Sequence, residues 1–201
     1  MTDGPTLAET RAFFAQRAHG WDERFPDDGP AYERAVADLA ARPGGVVLDV
    51  GCGTGRALPS LARGPGGARL AVGLDVTAEM LAVARPAADQ AAAALVLGDA
   101  SHLPFPPAAF DAVFAAGFLP HLADPEAGLA ELARVTRAGG RLALFHAIGR
   151  RVLAARHGDV PASNDIRAEA QLTPALVRSG WLLESIDDAE DRYLALAVRS
   201  A

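Results

Sequence analysis

Five short stretches of the chain carry side chains whose types and spacing suit chemistry. Val46 to Gly55 reads VVLDVGCGTG, an apolar run broken by Asp49 and followed by glycines at 51, 53 and 55. Asp75 falls at the end of a second apolar run, RLAVGLDV, 24 residues after Gly51. Asp99 ends a third, ALVLGDA, and His121 and His146 follow the fourth and end the fifth. Glycines at alternate positions permit positive φ and let a ligand approach the backbone closely. A dinucleotide turn of the form G-x-G-x-x-G, started at Gly51, requires glycine at position 56, where this chain has Arg56. Asp49, just ahead of the turn, repels a pyrophosphate and suits a ligand bearing positive charge or hydroxyls. Asp75 stands where an acidic side chain accepts both ribose hydroxyls, and Asp99 where one accepts a proton from an adenine amine. The set describes a nucleoside with a cationic appendage.

These side chains need strand ends to hold them, and the pattern supplies such ends. VVLDV (46–50), RLAVGLDV (69–76), ALVLGDA (94–100), FDAVFAAG (110–117) and RLALFHAI (141–148) read as strands. The continuous apolar runs among them suit a sheet covered on both faces. Between them RALPSLARG reads as a helix with Pro59 in its first turns, and TAEMLAVARPA as a helix with Thr77 as N-cap. DPEAGLAELARVTRAGG carries Asp124 as cap, Pro125 at the first helical position and glycines at its end. SHLPFPPAAF is too broken by proline for a regular helix, and GRRVLAARHGDVPASNDIRAEAQ reads as a short, loop-like stretch. TPALVRSG reads as a short helix, and WLLESIDD and RYLALAVRS as a hairpin of strands with Glu184 to Arg192 a solvated turn. Strand and helix in alternation imply a parallel sheet wrapped on both faces. Residues 1–44 read as a helical extension of two helices, the second from about Pro30 to Arg42, before a core over 45–201.

Composition removes several function classes. The chain has 201 residues and a net charge of −6, the wrong sign for a phosphate-binding surface. All 19 basic residues are arginine, so a lysine Schiff base, a P-loop lysine and a lysine general base are excluded. Cys52 is the one cysteine, with no His or acidic partner in local sequence, and reads as a small residue in a tight loop. It fits a reducing cytoplasm. No apolar run reaches membrane-spanning length, and MTDGPTLAET lacks the pattern of an export signal. The expectation is a cytoplasmic monomer or homodimer that binds a small molecule, no nucleic acid, no membrane and no metal.

The motifs LDVGCGTG, GLDVTAEML, GDASHLPFPPAAFDAVFAAGFLPHL and LARVTRAGGRLALF, in that order, resemble those of class I S-adenosylmethionine-dependent methyltransferases, in the small-molecule branch called the type 11 methyltransferase domain. The resemblance covers roughly residues 45 to 148. It implies a three-layer Rossmann-like α/β sandwich on a seven-stranded, mostly parallel sheet with an antiparallel C-terminal hairpin strand. It also implies S-adenosylmethionine as cofactor, with Gly51, Cys52 and Gly53 against the methionine moiety and Asp49 near its ammonium. Asp75 then takes the ribose hydroxyls, Val76 and Met80 flank the adenine, and Asp99 and Ala100 meet its edge. Ala116 and Gly117 line the methyl-donor site, where Ala116-Gly117-Phe118 departs from the aromatic or Ser/Asn often found there. HGWDERF resembles a short helical lid.

Methyl transfer is an in-line displacement helped chiefly by orientation, and it needs a base only when the acceptor must lose a proton. His121 and His146 are the candidate bases, each set against a packing role; His19, beside Trp21, is a third candidate. Phe13, Phe14, Trp21 and Phe25 suit a closing lid, although docking of the first helix on the sheet is the preferred expectation for Phe13 and Phe14. Two other readings stand beside methyl transfer: a Rossmann oxidoreductase, and a cofactor-binding domain that does not catalyse.

Overall fold

A computed structural model describes residues 6–24, 28–63 and 67–201. β1 (Val46–Val50), β2 (Leu70–Asp75), β3 (Ala94–Leu97), β4 (Phe110–Ala116), β5 (Thr136–His146), β6 (Trp181–Asp188) and β7 (Tyr193–Arg199) form one sheet. Its order is β3-β2-β1-β4-β5-β7-β6. β7 runs antiparallel to both of its neighbours, and the remaining pairs are parallel. The helices are α1 (Leu7–Ala15), α2 (Gly29–Leu39), α3 (Leu58–Arg63), α4 (Ala78–Ala91), α5 (Pro125–Val135), α6 (Arg150–Arg156) and α7 (Glu169–Arg178).

Side chains alternate across each strand, and this explains the unbroken apolar runs. On one face Val47, Phe114 and Phe145 pack under Ala35 and Leu39 of α2 and Leu58 of α3. On the other, Leu48, Val113 and Leu142 pack under Leu129 and Leu132 of α5 and Leu176 of α7. The C-terminal hairpin is anchored in that second layer by Trp181, fully buried, whose Nε1 donates to the Leu129 carbonyl at 2.9 Å. Asp124 caps α5 as expected, accepting from the Ala127 amide at 3.0 Å.

Four local expectations need correction. α5 stops at Val135 instead of running to the glycines, because the Thr136 hydroxyl donates to the Leu132 carbonyl at 2.6 Å and Thr136 turns extended. TRAGG then joins β5, with a register break against β4 between Phe110 and Ala112. The stretch after Ile148 is not all loop: Arg150–Arg156 forms α6. α7 begins at Glu169, so Pro174 lies inside it instead of near its start. Thr77 stands at the N-cap of α4, yet its hydroxyl makes no cap bond. A smaller difference is that Glu184 to Asp188 belongs to β6 and not to a turn.

Candidate functional site

β1 and β4 are neighbours at the centre of the sheet, where the strand order reverses, and such a switch point leaves a crevice at the carboxyl ends of the strands. The turn after β1 fills it. Gly51, Gly53 and Gly55 all have positive φ, +64°, +53° and +80°. At Gly51 an added Cβ would meet the Phe118 ring at 3.1 Å, whereas at Gly53 it would meet nothing within 4 Å. Gly53 therefore leaves open space on the cavity side.

Two carboxylates shape this turn. Asp75, 8% exposed, accepts from the Gly53 amide with Oδ2 at 2.9 Å and from the Thr77 amide with Oδ1 at 2.8 Å. It thereby ties the end of β2 to the turn after β1. Asp49 is 1% exposed, and its Oδ2 has no hydrogen-bond partner among the described residues. Burial, and then the charge of Asp75, hold the Asp49 carboxyl well above the usual carboxylate range. Burial also raises Asp75, against which its backbone amide donors act. Two adjacent buried carboxylates resist ionising together, so a cation between them would be strongly favoured. Cys52 lies buried beside them, and burial and both carboxylates push its thiol up, which leaves it unreactive. Asp99 is half-buried and accepts from the Ser101 amide at 2.8 Å.

A cavity of about 820 Å³ opens from the turn, within the range of small-ligand sites. Asp49, Gly51, Cys52, Gly53, Asp75, Val76, Met80, Asp99, Ala100 and Ala116 all line it, and so do His121 and His146. His146 Nδ1 is engaged with the Ile148 backbone, 3.0 Å from its carbonyl and 3.2 Å from its amide. Enclosure and the nearby Arg167 charge lower its pKa, opposed by that backbone contact. His121 stands at the cavity mouth, its ring edge-on to Phe14 at 5.0 Å; desolvation and Arg167 lower its pKa. His19 is exposed and outside the lining.

Phe13 and Phe14 do not dock a helix on the sheet. α1 buries none of its residues, and both rings line the cavity mouth, with Phe14 5.3 Å from Trp21. Phe25 lies outside the described residues. The N-terminal segment is tied to the glycine turn by groups the sequence did not single out for it. Thr54 Oγ1 donates to Asp22 Oδ1 at 2.7 Å, and Arg56 pairs with Asp28 at 3.2 Å. Also unforeseen is a cluster at the far end, where Arg167 grips Asp165 through Nε and Nη2, both at 3.0 Å. The D-x-R spacing of Asp165 and Arg167 was the available signal. No group of three or more His, Cys, Asp or Glu among the described residues is placed to hold a metal ion.

Residues 48–144 match a family profile described as a methyltransferase domain. The chain is 37% identical over 127 residues to a malonyl-[acyl-carrier protein] O-methyltransferase from Serratia marcescens, 63% of this chain and 48% of that protein. It is 40% identical over 112 residues to a demethylmenaquinone methyltransferase from Beutenbergia cavernae, 55% of this chain and 45% of that one. The chain thus spans about half or less of the length of the curated relatives it matches. Among solved structures, the Haloferax volcanii complex of a Trm112 methyltransferase activator with a methyltransferase superposes with a TM-score of 0.75 at 22% identity, over 96% of this chain and 98% of that one. At that identity the likeness establishes the fold. The geometry fits S-adenosylmethionine as cofactor: an unpartnered buried carboxylate oxygen at Asp49 suits an ammonium group, and the open space at Gly53 admits a ligand against the backbone.

Proposed function

We propose that the chain is a class I S-adenosylmethionine-dependent methyltransferase, a reading supported by its match to a methyltransferase-domain profile over residues 48–144, and that it methylates a small-molecule acceptor. The observation that carries this reading is the buried carboxylate pair at the ends of β1 and β2, with one Asp49 oxygen unpartnered beside the glycine turn. S-adenosylmethionine supplies, when bound, an electrophilic methyl group on a positively charged sulfur.

In this reading each residue has a definite task. Asp75 accepts from the ribose hydroxyls while keeping its amide donors, since each carboxylate oxygen has a second lone pair. Asp49 balances the ammonium, and Gly51, Cys52 and Gly53 present backbone to the amino-acid part. Val76 and Met80 flank the adenine, and Asp99 and Ala100 meet its amine edge. Ala116 and Gly117 leave room where the two reactants meet. His121 and His146, whose lowered pKa values leave them neutral at pH 7, are the groups able to take a proton from an acceptor. Residues 6–24 serve as a lid over the cavity mouth, held by Thr54 and Asp22.

Calorimetric titration tests the reading. Binding of S-adenosylhomocysteine and none of NAD is the expected result; the reverse would point to an oxidoreductase. Radiolabelled methyl incorporation into small-molecule extracts then separates an enzyme from a domain that only binds.

A further inference from the structure

Charge is sorted along the cavity. Around the glycine turn its lining is acidic: Asp49, Asp75 and Asp99 stand there, while Asp28 is paired with Arg56. Past Gly117 the lining contains Arg150, Arg156 and Arg167, against Asp159 on the exposed rim and Asp165. An acidic recess suits a cationic donor. The basic end has no use in that task, so it concerns the other reactant.

Arg167 is mounted to present donors and not merely to pair. Its backbone carbonyl accepts from the Tyr193 hydroxyl at 2.8 Å, and Tyr193 is buried on β7. One edge of its guanidinium is filled by Asp165, yet Nη1 donates to no group among the described residues. The side chain is 17% exposed, so the donors left over face a partly dry space. Arg150 is held from behind by Asp188, at 2.9 Å, and approaches Asp165 at 3.9 Å, so Asp165 is shared between two arginines. Arg156, on the exposed rim of α6, makes no ion pair among the described residues. Hydrogen-bond donors held in place before binding lose little freedom when an anion arrives. The same cavity is lined by Phe14 and Leu122, which offer it apolar surface.

Building on the methyl-transfer reading, we propose that the acceptor is a carboxylate with an apolar or aromatic body, its carboxylate held by Arg167 and Arg156 and its body against Phe14 and Leu122. The charge of Arg167 is felt at both His121 and His146, so the positive potential spans the acceptor end. A carboxylate fits better than a dianion, because Asp165 already offsets part of the arginine charge.

The test uses the full chain and three para-hydroxyphenyl probes that differ in charge: para-hydroxycinnamate, its neutral amide, and the cationic amine tyramine. Each is titrated calorimetrically with and without saturating S-adenosylhomocysteine. The acid is expected to bind about tenfold or more tightly than the amide, with tyramine weakest. Arg167→Met is expected to abolish that preference and Arg156→Ala to reduce it a few-fold, both with S-adenosylhomocysteine affinity unchanged. Arg156 is exposed, so its variant decides even where Arg167→Met fails to fold. Equal or tighter binding of amide or amine overturns the proposal. So does absence of acid binding, or a preference for the acid that survives Arg156→Ala and Arg167→Met undiminished. Failure of S-adenosylhomocysteine to bind counts against the methyl-transfer reading alone, because the acid–amide comparison is run without it as well.

Discussion

At the glycine-turn end of the cavity, the working side chains hang from the tips of β1 and β2 and the turn beyond β3, within 51 residues of sequence from Asp49 to Asp99. Their positions are set by backbone pairing in the sheet, by amides that tie Asp75 to the turn, and by glycines whose φ values allow that turn. At the far end, Phe14 comes from α1, His121 from the turn after β4, Arg156 from α6 and Arg167 from the segment before α7. These are brought together largely by side-chain contacts such as Phe14 to His121, Tyr193 to the Arg167 carbonyl and Arg150 to Asp188. In the methyl-transfer reading the first end serves one donor, and the second, whose side chains can change without disturbing the sheet, is where acceptor choice belongs.

Substitution should expose that division. The largest expected effect is at the far end, in the chemical step. His121→Ala and His146→Ala should lower kcat by roughly 10²–10⁴ if either abstracts the acceptor proton, while S-adenosylhomocysteine binding stays as it was. Their pKa values lie below the ordinary histidine value, first by desolvation and then by the Arg167 charge. Activity should therefore rise with pH through a point below 6.5 and be flat at neutrality. Arg167→Met, by removing that charge, should move the rising limb to higher pH. Unaltered kcat in both alanine variants removes the histidines as bases.

At the glycine-turn end the expected losses are in binding. Asp75→Ala should weaken S-adenosylhomocysteine by roughly a hundredfold, since it removes a charged acceptor and frees the Gly53 and Thr77 amides. Unchanged affinity would refute its ribose role. Asp49→Asn should do something different. The Asp49 carboxyl is raised by burial and by Asp75, so the folded state favours its protonated form. An acid raised in this way contributes stability that is fully present below its unfolded value of 3.8 and is lost as pH rises through the folded value. A neutral Asn avoids the cost at pH 7, so Tm should rise by about 2–4 °C while S-adenosylhomocysteine affinity falls about tenfold. A Tm that falls instead would mean Asp49 supports the turn and not the ligand.

The same division decides how much could be read from the sequence. LDVGCGTG, Asp75 and Asp99 were legible because a strand end followed by a glycine turn is a local event, and the central strands followed from their apolar runs. Seven strands with one reversed near the C-terminus were likewise legible through the hairpin. α6 was not, because seven residues are too few to show a period, and its start is held by Asp188, which binds both the amide and the guanidinium of Arg150 across 38 residues. TRAGG read as a helix end because its glycines match a helix cap; pairing with β4 overrode that local preference. Phe13 and Phe14 read as docking residues because nothing in α1 itself says that a cavity lies beneath it.

The tie between the two ends gives the smallest effect. The Thr54 hydroxyl bonds Asp22 at 2.7 Å and, beside the Arg56–Asp22 pair at 3.7 Å, links the glycine turn to the 3₁₀ turn at Asp22–Arg24. Thr54 is 5% exposed and Asp22 half exposed, so the bond contributes about 1 kcal/mol at most. Thr54→Val keeps the shape and removes the hydroxyl. Global Tm should fall by no more than about 2–4 °C, while amide exchange in residues 18–24 should speed up several-fold and acceptor KM should rise more than kcat falls. Such a pattern would show that the N-terminal segment closes the acceptor end by gripping the donor end. Faster exchange with no change in KM would leave the two ends independent, and the lid a cover without a hold on specificity.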